Sequence, residues 1–289
     1  MMMSTMLSLA AACAALAQSA SLTVEREPGR AYEPFSGRGA DARLRVELTD
    51  APEGARLVAV PSAGAPLALI SPNGARLPYR FAAEDLRAGG TEDRIDVPLT
   101  PNPQGEAAVT LRLVVDAGPV VPPGQYEALL DLTVLDAEGR VRSELLAVAT
   151  RIAVPARAQA VLAGTSGAFD PQSTVAFVDF GTLQTGDQRR LFVTLRANTE
   201  AAITVTSRHG GVMRLEDAAP EDARPGTSIT YAVDLDGEAA RLTAPLTIRR
   251  APRLTLAGTA YPMTITLGDA SGLFAGTYRD EITIAVTPQ

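Results

Sequence analysis

Cysteine is nearly missing from this 289-residue chain, and its one copy, Cys13, lies in the first twenty residues. Disulfide staples, Cys-rich metal sites and Cys–His catalysis are thereby excluded from the rest of the chain. Histidine is equally scarce: His209 is the only one. Tryptophan is absent and aromatic residues make up 4% of the chain, so Leu, Val and Ile must fill any core. The net charge is -7, and no Lys/Arg stripe interleaves with aromatics. Such a surface repels a phosphate backbone or an anionic leaflet, so neither nucleic acid nor a membrane surface is an expected partner. The Arg249-Arg250 pair reads as a solvated turn. Beyond the leader no apolar run is long enough to span a bilayer.

What is present begins with that leader. Residues 1–20 carry no charge and hold an apolar run at Leu7–Ala17, followed by the small-x-small site Ala15-Leu16-Ala17. The segment reads as a signal peptide cleaved after Ala17 or near Ala20. Acylation at Cys13, preceded by three alanines, is the second reading. Export across the membrane is expected.

The strongest internal signal is a duplication. Gly124, Tyr126, Leu130, Leu132 and Val134 match Gly276, Tyr278, Ile282, Ile284 and Val286 at an offset of 152 residues. The same offset aligns Tyr79 with Tyr231, and Leu111, Leu113 and Val115 with Met263, Ile265 and Leu267. Nearer each start the offset is 147, aligning Leu44, Val46 and Leu48 with Leu191, Val193 and Leu195. A five-residue insertion between Arg208 and Ile229 accounts for the difference. The two copies are placed at 21–155 and 156–289, with Pro155 and the Ala-rich tract after it read as a strand end and linker.

Within each copy apolar and polar residues alternate over short runs such as LRVEL at 44–48, LFVTL at 191–195 and MTITL at 263–267. Period two marks strands with one face in a core. The breaks carry turn glycines at Glu53-Gly54, Asn73-Gly74 and Asp236-Gly237, and residues 136–140 form a hairpin between 129–134 and 141–148. The expected fold class is all-β: two tandem immunoglobulin-like β-sandwich domains. After Val134 the first copy turns and runs back as 141–154, whereas only Thr287, Pro288 and Gln289 follow Val286. The second copy is therefore expected to lack its final strand and to borrow one, with completion in cis by residues 156–176 as the alternative.

Candidate chemistry is sparse. A serine triad could use only His209, which sits in the turn-like SRHGG, and no serine lies in a nucleophile elbow. Glu216, Asp217, Glu221 and Asp222 cluster in a charge-rich stretch that reads as a solvated loop and matches no EF-hand spacing. No cofactor, metal or enzymatic activity is expected. The repeated tyrosines read as anchors whose hydroxyls cap loops, with a ligand stack as the alternative.

Two stretches bear a likeness to a known family. AGTYRDEITIAV at 275–286 and FVDFGTLQTGDQRRLFVTL at 177–195, with Phe180-Gly181, resemble motifs of the spore coat protein U domain, found also in secreted pilus subunits of the archaic chaperone–usher type. Ile229-Thr230-Tyr231 is similar to the family's mid-domain strand. The resemblance covers most of 160–289, and the first copy keeps its later parts more loosely, at Tyr79 and PPGQYEALLDLTV. Both copies lack the paired cysteines common in the family, and the second lacks the usual closing aromatic. The resemblance implies a secreted structural or adhesive subunit assembled with a pilus chaperone, an usher and neighbouring subunits by strand addition, with a surface receptor as a further partner. The structural anchors it shares with the duplication are Tyr79, Gly124, Tyr126, Phe180, Gly181, Tyr231, Gly276 and Tyr278. A periplasmic pilus chaperone and a carbohydrate-binding surface module are the alternatives. The first would want a basic cleft and the second exposed aromatics.

Overall fold

The computed structural model describes residues 20–83, 89–91, 93–163, 176–217 and 224–289. The leader with Cys13, and Glu221 and Asp222, lie outside them. The described residues form β-strands and turns without helix, so no helix is long and apolar enough to cross a membrane.

A first unit contains β1 (Ser21–Arg30), β2 (Ala40–Thr49), β3 (Arg56–Pro61), β4 (Ala68–Ile70), β5 (Arg76–Pro78), β6 (Arg80–Ala83), β7 (Gly89–Thr91), β8 (Arg94–Pro98), β9 (Ala107–Val115), β10 (Gly124–Leu135) and β11 (Val141–Val154). A second contains β12 (Ala158–Ala163), β13 (Gln188–Ala197), β14 (Ala201–Ser207), β15 (Val212–Leu215), β16 (Ser228–Leu235), β17 (Glu238–Ala240), β18 (Leu246–Arg250), β19 (Thr259–Leu267), β20 (Tyr278–Arg279) and β21 (Ile282–Pro288).

In the first unit β1-β2-β9-β6 faces β5-β4-β10-β3-β8-β7, with β11 added on the other side of β10. In the second, β12-β13-β19-β16-β15-β20 faces β18-β14-β21, and β17 pairs with β16. All described pairings are antiparallel. The alternation in the sequence becomes the burial pattern: Leu44, Val46 and Leu48 of β2, and Leu191, Val193 and Leu195 of β13, point inward. Each unit has its own core cluster, one running from Ala20 to Val154 and the other from Phe180 to Leu267.

The strands correspond across the duplication. β12, β13, β14, β18 and β19 take the places of β1, β2, β3, β8 and β9. β10 pairs with β4 through Glu127 and then with β3 from Leu130 onward. β20 pairs with β15, and β21 then pairs with β14, in the same sequence. β11, and the short β7 on the outer side of β8, have no counterparts among the described residues.

Two local readings change. Arg249-Arg250 belongs to β18 instead of a turn, and Arg250 Nε donates to Asp236 Oδ2 at 2.6 Å. The tract after Pro155 is not a linker. It is β12, six residues paired with β13, because alternate small residues fit the face of the second core. Only Pro155, Ala156 and Arg157 separate β11 from β12. The buried amide of Asn198 holds this junction, accepting from Arg157 N at 2.7 Å and donating to Pro155 O at 3.0 Å.

Candidate functional site

The missing counterpart of β11 leaves an opening in the second unit. β21 is hydrogen-bonded to β14 along one edge, and among the described residues no strand pairs with its other edge. Arg208 N donates to Glu281 O and Gln289 N to Glu200 O, so the odd-numbered residues of β21 face β14. By the alternation of an antiparallel ladder, the N–H and C=O groups of Ile282, Ile284 and Val286 face the free edge. Their side chains are half-buried, whereas Leu130, Leu132 and Val134 of β10, under the cover of β11, are fully buried.

Beside this edge lies a cavity of about 650 Å³ between the two sheets. Leu191, Met263, Ile265 and Tyr278 line it from one sheet, Ile282 and Ile284 from the other. Ala176–Phe180 flank it. Phe177 at its mouth is 85% exposed. β12 does not fill the opening, since it pairs with β13 at the edge of the facing sheet. Completion in cis by residues 158–163 is therefore not what this structure contains, and residues 164–175 lie outside the described ones.

The repeated tyrosines sit in matched places. Tyr126 OH donates to Pro122 O at 2.7 Å, and Tyr278 OH to Phe274 O at 3.0 Å, each four residues upstream. Tyr278 OH also reaches Gly226 O. Gly124 opens β10 at φ 143°, and Gly276 stands two residues before β20 at φ 150°. A Cβ at Gly276 would come within 2.5 Å of Leu215 Cδ1, while one at Gly124 meets nothing. Phe180 is buried, with the Arg189 guanidinium 5.1 Å from its ring centre, and Gly181 N donates to Asp179 Oδ1.

Tyr79 and Tyr231 differ in their partners. Tyr231 OH donates to Asp280 Oδ2 at 2.5 Å, and burial followed by that carboxylate pushes the phenol far above its ordinary value. The hydroxyl of Tyr79, a residue 5% exposed, has no partner among the described residues, and burial pushes it up to about 12. The reason is one aligned position: Ala128 stands where the second copy has Asp280.

Asp280 occupies the step at which the last strand passes from β20 to β21. Its side chain is 2% exposed and also accepts from Ser207 Oγ at 2.5 Å and His209 N at 3.1 Å. His209 Nδ1 stands 3.0 Å from Asp280 Oδ1 without hydrogen-bond alignment. So His209 sits in a turn, half-buried and tethered. Ser207 is bound to the carboxylate and not to the imidazole, so the three residues do not form a nucleophile–base pair. Sequence reading missed Asp280, although its alignment with an inward-facing residue of β10 was the available signal. Glu216 pairs with Arg279 at 3.1 Å. Among the described residues no group of His, Cys, Asp and Glu could hold a metal ion.

No protein-family model matches the chain, and no curated protein matches it. Solved structures that it is similar to include the CsuC–CsuE chaperone–tip adhesion subunit pre-assembly complex from archaic chaperone–usher Csu pili of Acinetobacter baumannii. The identity is 15% and the TM-score 0.45, covering 83% of this chain and 88% of that one. The CupB6 tip adhesin of Pseudomonas aeruginosa matches at 16% identity and TM-score 0.37, over 93% and 95% of the two chains. Self-complemented MyfA, the major subunit of Myf fimbriae from Yersinia enterocolitica, matches at 14% and 0.36, over 46% of this chain and 98% of that one. Likeness at this level carries no argument by itself. The groove does.

Proposed function

We propose that this protein is an exported, non-catalytic subunit of a cell-surface pilus-like assembly, and that its second unit is completed by an extended segment of another polypeptide. The observation that carries this reading is the free edge of β21 beside an apolar groove. Unpaired main-chain groups and half-covered apolar side chains favour strand addition. The occupant has a defined chemistry, because the first unit contains its own version. β11 turns Val148, Thr150, Ile152 and Val154 toward Leu130, Ala128, Tyr126 and Gly124. An incoming strand with small or β-branched apolar residues at alternate positions would cover Ile282, Asp280, Tyr278 and Gly276 in the same register. A chaperone would shield this edge before assembly and a neighbouring subunit would fill it afterwards. The first unit, whose sheet is already closed, is left for structural or adhesive contacts.

The test is a fusion. A second copy of Asp136–Val154 placed after Gln289 supplies the missing strand through the protein's own hairpin. Covering three apolar side chains and pairing the edge, less the cost of ordering the segment, leaves about 2 kcal/mol. The melting midpoint of the second unit should rise by about 5–10 °C. An unchanged midpoint would sink the reading.

A further inference from the structure

The first unit has a strand edge of its own, along the outer side of β11. Ser62 N donates to Leu129 O, so the odd-numbered residues of β10 face β3 and the even-numbered ones face β11. Leu132 pairs with Leu145, and the main-chain groups of Glu144 and Leu146 therefore point away from β10. Among the described residues no strand pairs with β11 there. Further along, the same edge is occupied: Arg26 Nε donates to Ala149 O at 2.8 Å and Tyr32 N to Ala153 O at 2.9 Å. Between the two stretches the ladder is broken. Leu130 pairs with Val148 and Leu132 with Leu145, so Leu146 and Ala147 together stand against Asp131. This is a β-bulge. Ala147 lies at φ 53°, a left-handed conformation that an alanine adopts only at a cost. One side chain holds it there: Asp131 Oδ1 accepts from Ala147 N at 2.9 Å and from Ser62 Oγ at 2.6 Å. The Ala147 amide, followed by the Ser62 hydroxyl, keeps that carboxyl below its ordinary range, so the clamp is charged at neutral pH.

Taking Ala147 out shows what the bulge prevents. The ladder would then run from Leu145–Leu132 through Leu146–Asp131 to Val148–Leu130 without a break, and the outer edge would continue through Glu144, Leu146, Ala149 and Arg151. Such an edge is its own complement. Two copies laid antiparallel about Val148 would set Glu144 opposite Arg151 and Leu146 opposite Ala149, each twice by symmetry. Glu144, Leu146 and Arg151 are already exposed. We propose that the bulge held by Asp131 guards this edge, keeping β11 of the first unit from pairing with β11 of a second copy. A kinked edge with a residue out of phase cannot present a continuous row of donors and acceptors to a partner strand.

The full chain is compared with a variant lacking Ala147 by analytical ultracentrifugation and residue-resolved amide exchange. The deletion should raise the apparent mass about twofold over the parent and slow exchange at Glu144 and Leu146. Adding Glu144→Arg, which sets arginine against Arg151 at both ends of the pairing, should return the mass to that of the parent. Adding Arg151→Glu to that pair of changes should restore the doubling. Asp131→Ala keeps the residue count and removes the clamp; it should speed exchange at Ala147 and raise the associated fraction. A deletion variant that folds and keeps the parent's mass overturns the proposal, as does a doubled mass that Glu144→Arg leaves unchanged. If the deletion unfolds the first unit, Asp131→Ala decides: an associated fraction equal to the parent's overturns the proposal.

Discussion

Tyr79 and Tyr231 occupy the same place in two copies of one fold, and removing their hydroxyls should have opposite effects. Tyr231→Phe deletes a hydrogen bond to the buried Asp280 carboxylate. Bonds to charged groups contribute about 1.5–3 kcal/mol. Ser207 and His209 N remain on Asp280, so a loss of about 2 kcal/mol in the second unit is expected. Tyr79→Phe deletes a hydroxyl that is buried beside Ala128 without a partner. The ring keeps its edge-on contact with Phe81 at 5.5 Å. Relieving an unsatisfied buried hydroxyl should stabilise the first unit by about 1 kcal/mol. Hydrogen exchange read on peptides from each unit separates the two effects within one molecule. The reasoning is refuted if Tyr79→Phe costs the first unit stability, or if Tyr231→Phe leaves the second unchanged. The combination Ala128→Asp should supply Tyr79 with an acceptor but no Ser207 or His209 equivalent, so it should destabilise the first unit.

Alkaline titration provides a second test: an unfolded phenol ionises near pH 10, whereas Tyr79 holds its proton to about 12. The folded state then binds more protons than the unfolded one, so stability present below pH 10 falls as pH rises from 10 toward 12, by about 2–3 kcal/mol for this group; Tyr79→Phe should remove that loss, as seen in chemical denaturation at pH 9 and 11. Gly276→Ala should destabilise the second unit by about 1–3 kcal/mol through the clash with Leu215, and Gly124→Ala should cost the first unit less, as thermal melts would show. Asn198→Ala leaves Arg157 N and Pro155 O without their partner and should cost about 2 kcal/mol, with faster amide exchange confined to residues 155–160.

Much of this architecture is legible in the sequence because duplication and period two reinforce each other. The ladder from Gly124 to Val134 and its copy from Gly276 to Val286 identify the strand and its inward face together. The segment 141–154, which closes the first copy, has no equivalent among the described residues of the second. What escapes such reading is long-range and polar. Asp280 looks like a break between two strands, since one carboxylate among the three charged residues of TYRDE carries no sign that Ser207, His209 and Tyr231 converge on it. Arg189 is one of two adjacent arginines at the start of β13, and its acceptors are main-chain carbonyls that have no sequence signature. β12 looks like a linker because alanine fills both linkers and tight edge strands. In each case the deciding partner lies outside the local segment.

The three residues between β11 and β12 also set how the molecule would carry a load. A connection of Pro155, Ala156 and Arg157 spans about 10 Å at full extension, so it offers almost no slack. Pulling on the first unit would pass directly into the start of β12. Because β12 runs from Ala158 at the junction end to Ala163, with its partners in β13 descending from Ala197 to Phe192, tension along the strand would bear on its cross-strand bonds together and not open them one at a time. A subunit joined in this way would transmit drag from one unit to the next before either yields.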